Sequence, residues 1–157
     1  MRSFAMLSNL KNSHILVTGG AGFMGSAFIR YVLDREDFSG HISNLDLLTY
    51  AGNLENLQQI EKDPRYLFFH GDIRDEALLK SIDEKRPVDV IVHFAAETHV
   101  DRSISSPKAF LETNILGTYS LLEFVKDRPN LHFHHISTDE VYGALGHEGV
   151  FTETSPY

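Results

Sequence analysis

The sequence predicts a doubly wound α/β fold built around a mostly parallel sheet. Short, nearly continuous apolar segments alternate with longer segments whose apolar residues recur at helical spacing. Continuous apolar strands indicate a sheet covered on both faces, which is typical of parallel strands joined by crossover helices. Glycines directly after the first strand and an acid at the end of the second strand are also typical of this fold class.

Five strands are predicted, at residues 14–18, 41–47, 66–70, 88–95 and 131–137. The first, HILVT, and the fourth, VDVIVHFA, are nearly continuous apolar runs, which suits parallel strands covered on both faces. The sequence after Thr138 is polar and rich in turn residues, so we expect no further strand in this chain.

Four helices are predicted between these strands. Apolar residues recur at helical spacing in 23–37 and in the shorter segment 53–61. Asp75 is a good N-cap for a third helix that ends before Pro87. Pro107 suits the first turn of a long fourth helix, at about 107–126. The apolar residues of that helix cover more than one face, which indicates a packing partner besides the sheet.

The composition argues against several classes of function. The formal net charge is −8, and an acidic domain is a poor partner for nucleic acid or an anionic membrane. No apolar run approaches the roughly 20 residues of a membrane span. The chain has no cysteine, which excludes thiolate chemistry and fits a cytoplasmic protein. Residues 1–13 are expected to form a loose tail before one domain at 14–157.

The glycine-rich turn after the first strand predicts a phosphate-binding loop. Gly19, Gly20, Gly22 and Gly25 fit both G-x-G-x-x-G and G-x-x-G-x-x-G. Such glycines let the backbone approach a pyrophosphate, and the next helix offers its free N–H groups. A purely structural turn is the alternative, but the position between a strand and a helix favours dinucleotide binding.

Acids follow the second and third strands. Asp46 can accept hydrogen bonds from a ribose 2′-hydroxyl and repels a 2′-phosphate, so it favours NAD over NADP. A solvated loop acid is the alternative for Asp46. Asp72 has two open possibilities, to bind an adenine amino group or to cap the next turn.

Six segments, taken in order, resemble the extended short-chain dehydrogenases/reductases and, within them, the nucleotide-sugar 4,6-dehydratases. They are TGGAGFMGS, LDLLTYAGNLENL, GDI, HFAAETHVDRSI, TNILGTYSLLE and HISTDEVYG. The resemblance covers about residues 14–157, and TYAGNLENL and STDEVYG are its most specific parts. It implies a Rossmann-type NAD-binding fold and, for the full-length protein, the conversion of dTDP-glucose to dTDP-4-keto-6-deoxyglucose.

The resemblance also implies contacts to the cofactor and the sugar nucleotide. Cofactor contacts would come from the glycine loop, from the turns after three strands and from the last helix. The set is Gly19, Gly22, Phe23, Met24, Gly25, Asp46, Leu47, Leu48, Thr49, Asp72, Ile73, Phe94, Ala95, Ala96, Glu97, Thr98 and Thr113. Thr98 and Thr138 would contact the nucleotide-sugar substrate.

The resemblance places Thr138, Asp139 and Glu140 at the reaction centre. The implied reaction oxidises the sugar at C4, removes water across C5 and C6, and reduces C6. Elimination needs two proton-transfer groups in one pocket. Glu140 would remove the C5 proton, Asp139 would protonate the departing C6 hydroxyl, and Thr138 would hydrogen-bond the C4 oxygen. Spacing alone favours two solvated acids after a strand, and the resemblance is what favours the catalytic interpretation.

The sequence departs from the resemblance in one respect. The Y-x-x-x-K pair expected on a later helix does not occur, and neither Tyr142 nor Tyr157 takes its place. The substrate lobe is absent as well. We therefore expect an incomplete NAD-binding domain, truncated after the fifth strand and inactive by itself. The full-length parent is expected to be a homodimer that uses the helix at 107–126.

Two other functions stay open. Another nucleotide-sugar enzyme, such as a 4-epimerase or a GDP-mannose dehydratase, usually carries a hydroxyl residue at the position of Asp139. A non-catalytic NAD-binding module is the alternative from a different class, and the adjacent acids argue against it.

The nine histidines do not predict a metal site. His132 and His134 share a strand face, but no convergent third ligand is evident. His93 and His135 lie in apolar strands and are expected to be buried and hydrogen-bonded.

Overall fold

One sheet of five parallel strands forms the centre of the protein in the computed structural model, which describes residues 10–146 and 149–157. The strands are β1 (His14–Thr18), β2 (His41–Asp46), β3 (Tyr66–His70), β4 (Val90–His93) and β5 (His132–His135). They lie in the order β3-β2-β1-β4-β5, so the chain reverses direction across the sheet at β1. The predicted doubly wound fold is confirmed.

The helices connect these strands. They are α1 (Phe23–Leu33), α2 (Glu76–Lys85), α3 (Val100–Ser105), α4 (Pro107–Phe110), a π-helix (Leu111–Gly117) and α5 (Thr118–Val125). Three 3₁₀ turns lie at Leu10–Asn12, Leu54–Ile60 and Asp139–Tyr142. Asp75 accepts a hydrogen bond from the Leu78 amide at 3.0 Å, so the predicted N-cap of α2 is confirmed.

Two apolar clusters cover the two faces of the sheet. Side chains alternate along β1, so Ile15 and Val17 pack with α1 and Leu16 packs on the opposite face. The second cluster contains residues of α2 and α5, such as Leu79 and Leu121. This double burial explains the continuous apolar run of β1.

The first predicted helix was four residues too long. It was expected to reach residue 37, but α1 ends at Leu33. The chain turns there and brings Phe38 into the core, where its side chain is 5% exposed. Arg65 fixes this turn by donating to the carbonyl oxygens of Leu33 and Phe38 at 2.7 and 2.9 Å.

The predicted helix at 107–126 is helical throughout, but it is not one regular α-helix. The π-helix lies in its middle, and the unpredicted α3 precedes it. Gly117 in the wider turn packs directly against Ile73, where a larger side chain would collide. As its sequence indicated, this segment has more apolar side chains than one helix face can bury against the sheet. The structure leaves several of them exposed, namely Leu111, Ile115, Leu116, Tyr119 and Leu122.

The predicted tail lies mostly outside the described residues. Its last residues join the fold, because Leu10 packs against the core and Ser39 donates its amide to the Lys11 carbonyl at 2.7 Å. Within residues 10–146 and 149–157, no helix has the length and apolar character needed to cross a membrane.

Candidate active site

A cleft lies at the carboxyl ends of β1 to β4, and we call it the glycine-loop cleft. Open parallel sheets bind ligands at this edge, where the strand order reverses. The cleft collects residues from the five predicted cofactor segments. Its lining includes Gly19, Gly22, Asp46, Leu47, Thr49, Asp72, Ile73, Phe94, Ala95, Ala96, Glu97 and Thr113. The residues missed were Leu45, Ala51, Gly52 and Gly71, which lie close in sequence to the predicted residues Asp46, Thr49 and Asp72.

The glycine loop is packed closely against the turn after β4. Gly19 has a φ of +71°, and a Cβ atom there would lie 2.6 Å from the Ala95 nitrogen. Its amide donates to the Leu45 carbonyl at 2.9 Å. Gly22 caps α1 without a side-chain hydrogen bond. The loop therefore presents the N-terminus of α1 to the cleft, as an anion site requires.

Asp46 is buried between the glycine loop and its own turn. Its carboxylate accepts hydrogen bonds from the Ala21 and Leu48 amides, both at 2.8 Å. Leu48 does not line the cleft, and its contribution to the site is the amide that donates to Asp46. A carboxylate has about four acceptor positions, so Asp46 can still accept from a ligand hydroxyl.

Asp72 caps a turn, as one of the two possibilities predicted, and it also lines the cleft, so binding of an adenine amino group stays a prediction. Its Oδ1 accepts from the Arg74 amide at 2.8 Å. The Arg74 guanidinium donates to Oδ2 at 2.7 Å. These side-chain hydrogen bonds hold the pKa of Asp72 below its usual value.

Three predicted residues of the glycine loop do not line the cleft. Phe23 and Met24 lie in the first turn of α1 and are 88% and 60% exposed. Gly25 is buried against Gly19, where a Cβ atom would overlap the backbone. Gly25 thus permits the helix to approach the loop.

A second cleft adjoins the first, and we call it the Glu140 cleft. The two share Ala95, Ala96 and Glu97. The Glu140 cleft brings Thr98 close to Thr138 and Glu140, although Thr98 is far from both of them in the sequence. Its remaining lining is Asn114, Thr118, His135, Ile136, Ser137 and Val141.

The reaction-centre residues predicted from the resemblance lie on an exposed 3₁₀ turn. Thr138 is the N-cap and accepts from the Glu140 amide at 3.3 Å. Its hydroxyl donates to Asp139 at 3.3 Å, but Asp139 is not part of the lining of the Glu140 cleft. Tyr142 stacks on Tyr157 with ring centroids 5.3 Å apart, and neither ring lines this cleft.

Asn114 is a structural element of the site that the sequence interpretation missed. Its Oδ1 accepts from the Glu97 amide and its Nδ2 donates to the Glu97 carbonyl, both at 2.8 Å. This pair of bonds fixes the peptide backbone where the two clefts meet. The sequence feature that could have identified Asn114 is its position next to Thr113, in one of the segments that resemble the known family.

His93 lies beneath both clefts and is 1% exposed. Its ring nitrogens hydrogen-bond the hydroxyls of Thr18 at 2.6 Å and Thr118 at 3.1 Å. Burial lowers the pKa of His93 to about 4, and His135 adds a smaller repulsive contribution. His93 is therefore neutral near pH 7 and links β1, β4 and α5.

The expectation for His135 was wrong. Its side chain is exposed, because β5 is an edge strand of the described sheet, and its ring stacks on that of His93 with the ring centroids 5.1 Å apart. Among the residues that the structure describes, no three His, Asp or Glu side chains form a group that could hold a metal ion.

Known proteins are similar to this chain in both sequence and fold. The family model described as GDP-mannose 4,6 dehydratase matches residues 16–157. The dTDP-glucose 4,6-dehydratase of Salmonella typhimurium is 48% identical in an alignment that covers 91% of this chain and 44% of that protein. This chain thus spans less than half the length of that relative.

Two solved structures are similar. One is a dTDP-glucose 4,6-dehydratase from Bacillus anthracis in complex with NAD, with a TM-score of 0.81 and 47% identity over 92% of this chain and 43% of that one. The other is the corresponding Streptomyces venezuelae protein with NAD bound, with a TM-score of 0.80 and 50% identity over 91% and 44%. The chain belongs to the GDP-mannose 4,6 dehydratase family, and dTDP-glucose 4,6-dehydratases are among its relatives.

Proposed function

We propose that this chain forms the cofactor-binding part of an NAD-dependent nucleotide-sugar 4,6-dehydratase that acts on dTDP-glucose. One observation carries the proposal: the glycine-loop cleft and the Glu140 cleft meet at residues 95–97. A dinucleotide in the first cleft would therefore have one end beside the acids of the second. The relatives named dTDP-glucose 4,6-dehydratase favour that substrate over GDP-mannose.

The described residues fit a dinucleotide. The close approach of Gly19 to Ala95 leaves no room for a side chain at residue 19. This supports a loop whose backbone can approach a pyrophosphate closely. Asp46 would hold the adenosine ribose, the N-terminus of α1 would hold the pyrophosphate, and Asp72 with Ile73 would flank adenine. When bound, NAD supplies reversible oxidation and reduction of the sugar.

The acids of the 3₁₀ turn supply the proton transfers in this proposal. Glu140 lines the cleft and would take the proton from C5, while Asp139 would protonate the departing C6 oxygen. Thr138 and Thr98 would orient the sugar by hydrogen bonds to its hydroxyls. Asp139 lies outside the cleft lining but beside Glu140 on the same exposed turn, and in this proposal both carboxyls would act on the same substrate, as an elimination requires.

The test uses the full-length protein with dTDP-glucose and NAD. We expect 4-keto-6-deoxy sugar, detected by mass spectrometry. Glu140→Gln should lower its formation by about 10²–10⁴-fold, because a general base is lost. Bound reduced cofactor should then accumulate, since oxidation at C4 precedes elimination.

The matched control is Glu153→Gln, which changes an exposed acid outside both clefts and should leave the rate unchanged. Formation of a C4 epimer in place of the deoxy sugar would contradict the proposal. So would a Glu140→Gln variant that retains the rate of the unmodified protein.

We also propose that the protein is a homodimer. Exposed apolar side chains recur along one helical path through Leu111, Ile115, Leu116, Tyr119 and Leu122, and each is about half exposed. An identical face on a second copy would bury them. Sedimentation velocity should show a dimer that Leu116→Glu dissociates, and a monomer at high concentration would contradict this. A cytoplasmic location stays a prediction.

A further inference from the structure

Glu97 carries a buried carboxylate oxygen that has no hydrogen-bond partner. The residue is 9% exposed, and its Oε2 contacts no donor among the described residues. A buried polar atom without a partner destabilises the fold, and the penalty is larger for a carboxylate. Only one other side-chain atom among the described residues, Oδ1 of Asn44, is in the same situation, and Asn44 lines neither cleft.

The backbone of Glu97 is held in place by another residue and not by the side chain of Glu97. Asn114 clamps both the amide and the carbonyl of Glu97 at 2.8 Å. The carboxylate therefore does not determine the backbone path by its own bonds. Glu97 also lines both clefts, at the point where they meet.

The strand order gives the direction in which a dinucleotide would lie. In the order β3-β2-β1-β4-β5, Asp72 follows β3, Asp46 follows β2 and the glycine loop follows β1. Glu97 follows β4 and Glu140 follows β5. If adenosine lies at Asp72 and Asp46 and the pyrophosphate at the glycine loop, the other half of the molecule reaches Glu97.

We propose that the Glu97 carboxylate binds the nicotinamide half of the dinucleotide and favours its oxidised form. This inference rests on the proposed function. A carboxylate only accepts hydrogen bonds, so its ligand must offer an N–H or O–H donor, and the carboxamide and ribose of this half offer both. The oxidised ring is cationic and the reduced ring is neutral, so a nearby carboxylate stabilises the oxidised form more strongly.

The experiment compares Glu97→Gln with the unmodified full-length protein by titration calorimetry. The probes are NAD, NADH and ADP, which lacks the nicotinamide half. We expect NAD binding to weaken by about ten- to a hundredfold, as for loss of a hydrogen bond to a charged group. NADH binding should weaken less, and ADP binding should be unchanged. Glu84→Gln, on the exposed face of α2, is the matched control and should change none of the three.

The outcomes separate the possible failures. Failure of the unmodified protein to bind NAD would overturn the proposed function itself. If the unmodified protein binds NAD and the Glu97→Gln variant has the same affinity for NAD and the same ratio of NAD to NADH affinities, only the role of Glu97 would be overturned. An equal loss for NAD and ADP would show a structural role and also contradict the inference. If Glu97→Gln weakened the binding of dTDP-glucose and left NAD binding intact, the hydrogen-bond donor to Glu97 would belong to the sugar nucleotide. That result would also contradict the inference.

Discussion

The two clefts differ in how firmly their functional groups are held. In the glycine-loop cleft, Asp46 is 8% exposed and both its oxygens accept backbone amides at 2.8 Å. On the 3₁₀ turn at the Glu140 cleft, Thr138, Asp139 and Glu140 are all exposed, and Thr138 and Glu140 line the cleft. The hydrogen bonds described for their side chains are the two 3.3 Å contacts within the turn.

This difference follows from where each group lies in the fold. The glycine loop directly follows β1 and Asp46 is the last residue of β2, and both strands are buried by the apolar clusters on the two faces of the sheet. The 3₁₀ turn follows β5, an edge strand of the described sheet whose residues are mostly exposed. Binding groups on a rigid element lose less entropy on ligand binding, so the cofactor half of the site is preorganised and the reaction turn is not.

The largest expected effect contrasts one glycine from each region. Gly19 and Gly143 both have positive φ, at +71° and +80°. Alanine at Gly19 would overlap the Ala95 backbone, whereas nothing lies within 4 Å of a Cβ at Gly143. We expect Gly19→Ala to lower the free energy of unfolding by more than about 3 kcal/mol. Gly143→Ala should lower it by less, about 1–3 kcal/mol, from the backbone conformation alone.

Urea unfolding of both variants measures this contrast. The Gly19→Ala variant should also lose NAD binding under conditions where it remains folded, while Gly143→Ala should retain it. Equal destabilisation of the two variants would show that the loop is not packed as described.

A second expected effect is a pH dependence that arises from His93. Its pKa of about 4 in the folded protein is below the ordinary value of 6.5, because burial disfavours the charged ring. As the pH falls below 6.5, the unfolded chain therefore takes up a proton before the folded one does. The free energy of unfolding should decrease from pH 6.5 to about 4, by up to about 3 kcal/mol, and then level off with respect to this group.

Denaturant unfolding at a series of pH values tests this effect, with His93→Gln as the comparison. The variant should have a lower free energy of unfolding at pH 7. Its free energy of unfolding should also decrease less steeply than that of the unmodified protein as the pH falls from 6.5 to 4. Burial also lowers the pKa of His14, so a smaller slope of the same sign should remain. An identical slope in the variant would mean that His93 does not stay neutral.

The smallest expected effect concerns the choice between NAD and NADP. Asp46→Asn keeps an acceptor for the Ala21 or Leu48 amide but removes the charge that repels a 2′-phosphate. We expect the preference for NAD to fall by about tenfold, as for loss of a partly screened repulsion. Competitive titration measures it, and an unchanged preference would show that another group selects the cofactor.

Most of the fold could be predicted from the sequence because its signals are local. The apolar run of β1, the glycines after it and the N-cap Asp75 depend on short segments, and each was found where predicted. Boundaries were less accurate where distant contacts decide them. The end of α1 depends on Arg65, which lies 32 residues after Leu33.

The candidate site was predictable as a set of segments, but not in its internal organisation. The segments that line the two clefts were identified by their resemblance to known enzymes. The role of Asn114 could not be predicted, because its bonds to Glu97 connect two segments that are 17 residues apart. His135 was placed wrongly, because an apolar strand pattern does not tell a central strand from an edge strand.

Amide hydrogen exchange with and without NAD tests the preorganised cofactor cleft most directly. Before NAD is added, the amides of Gly19, Ala21 and Leu48 should already exchange slowly, because they donate to Leu45 and Asp46. NAD should slow exchange further at the glycine loop and at residues 46–52, and leave the turn at 139–142 fast. Fast exchange at Gly19 and Ala21 without NAD, or protection by NAD only at residues 139–142, would contradict the account.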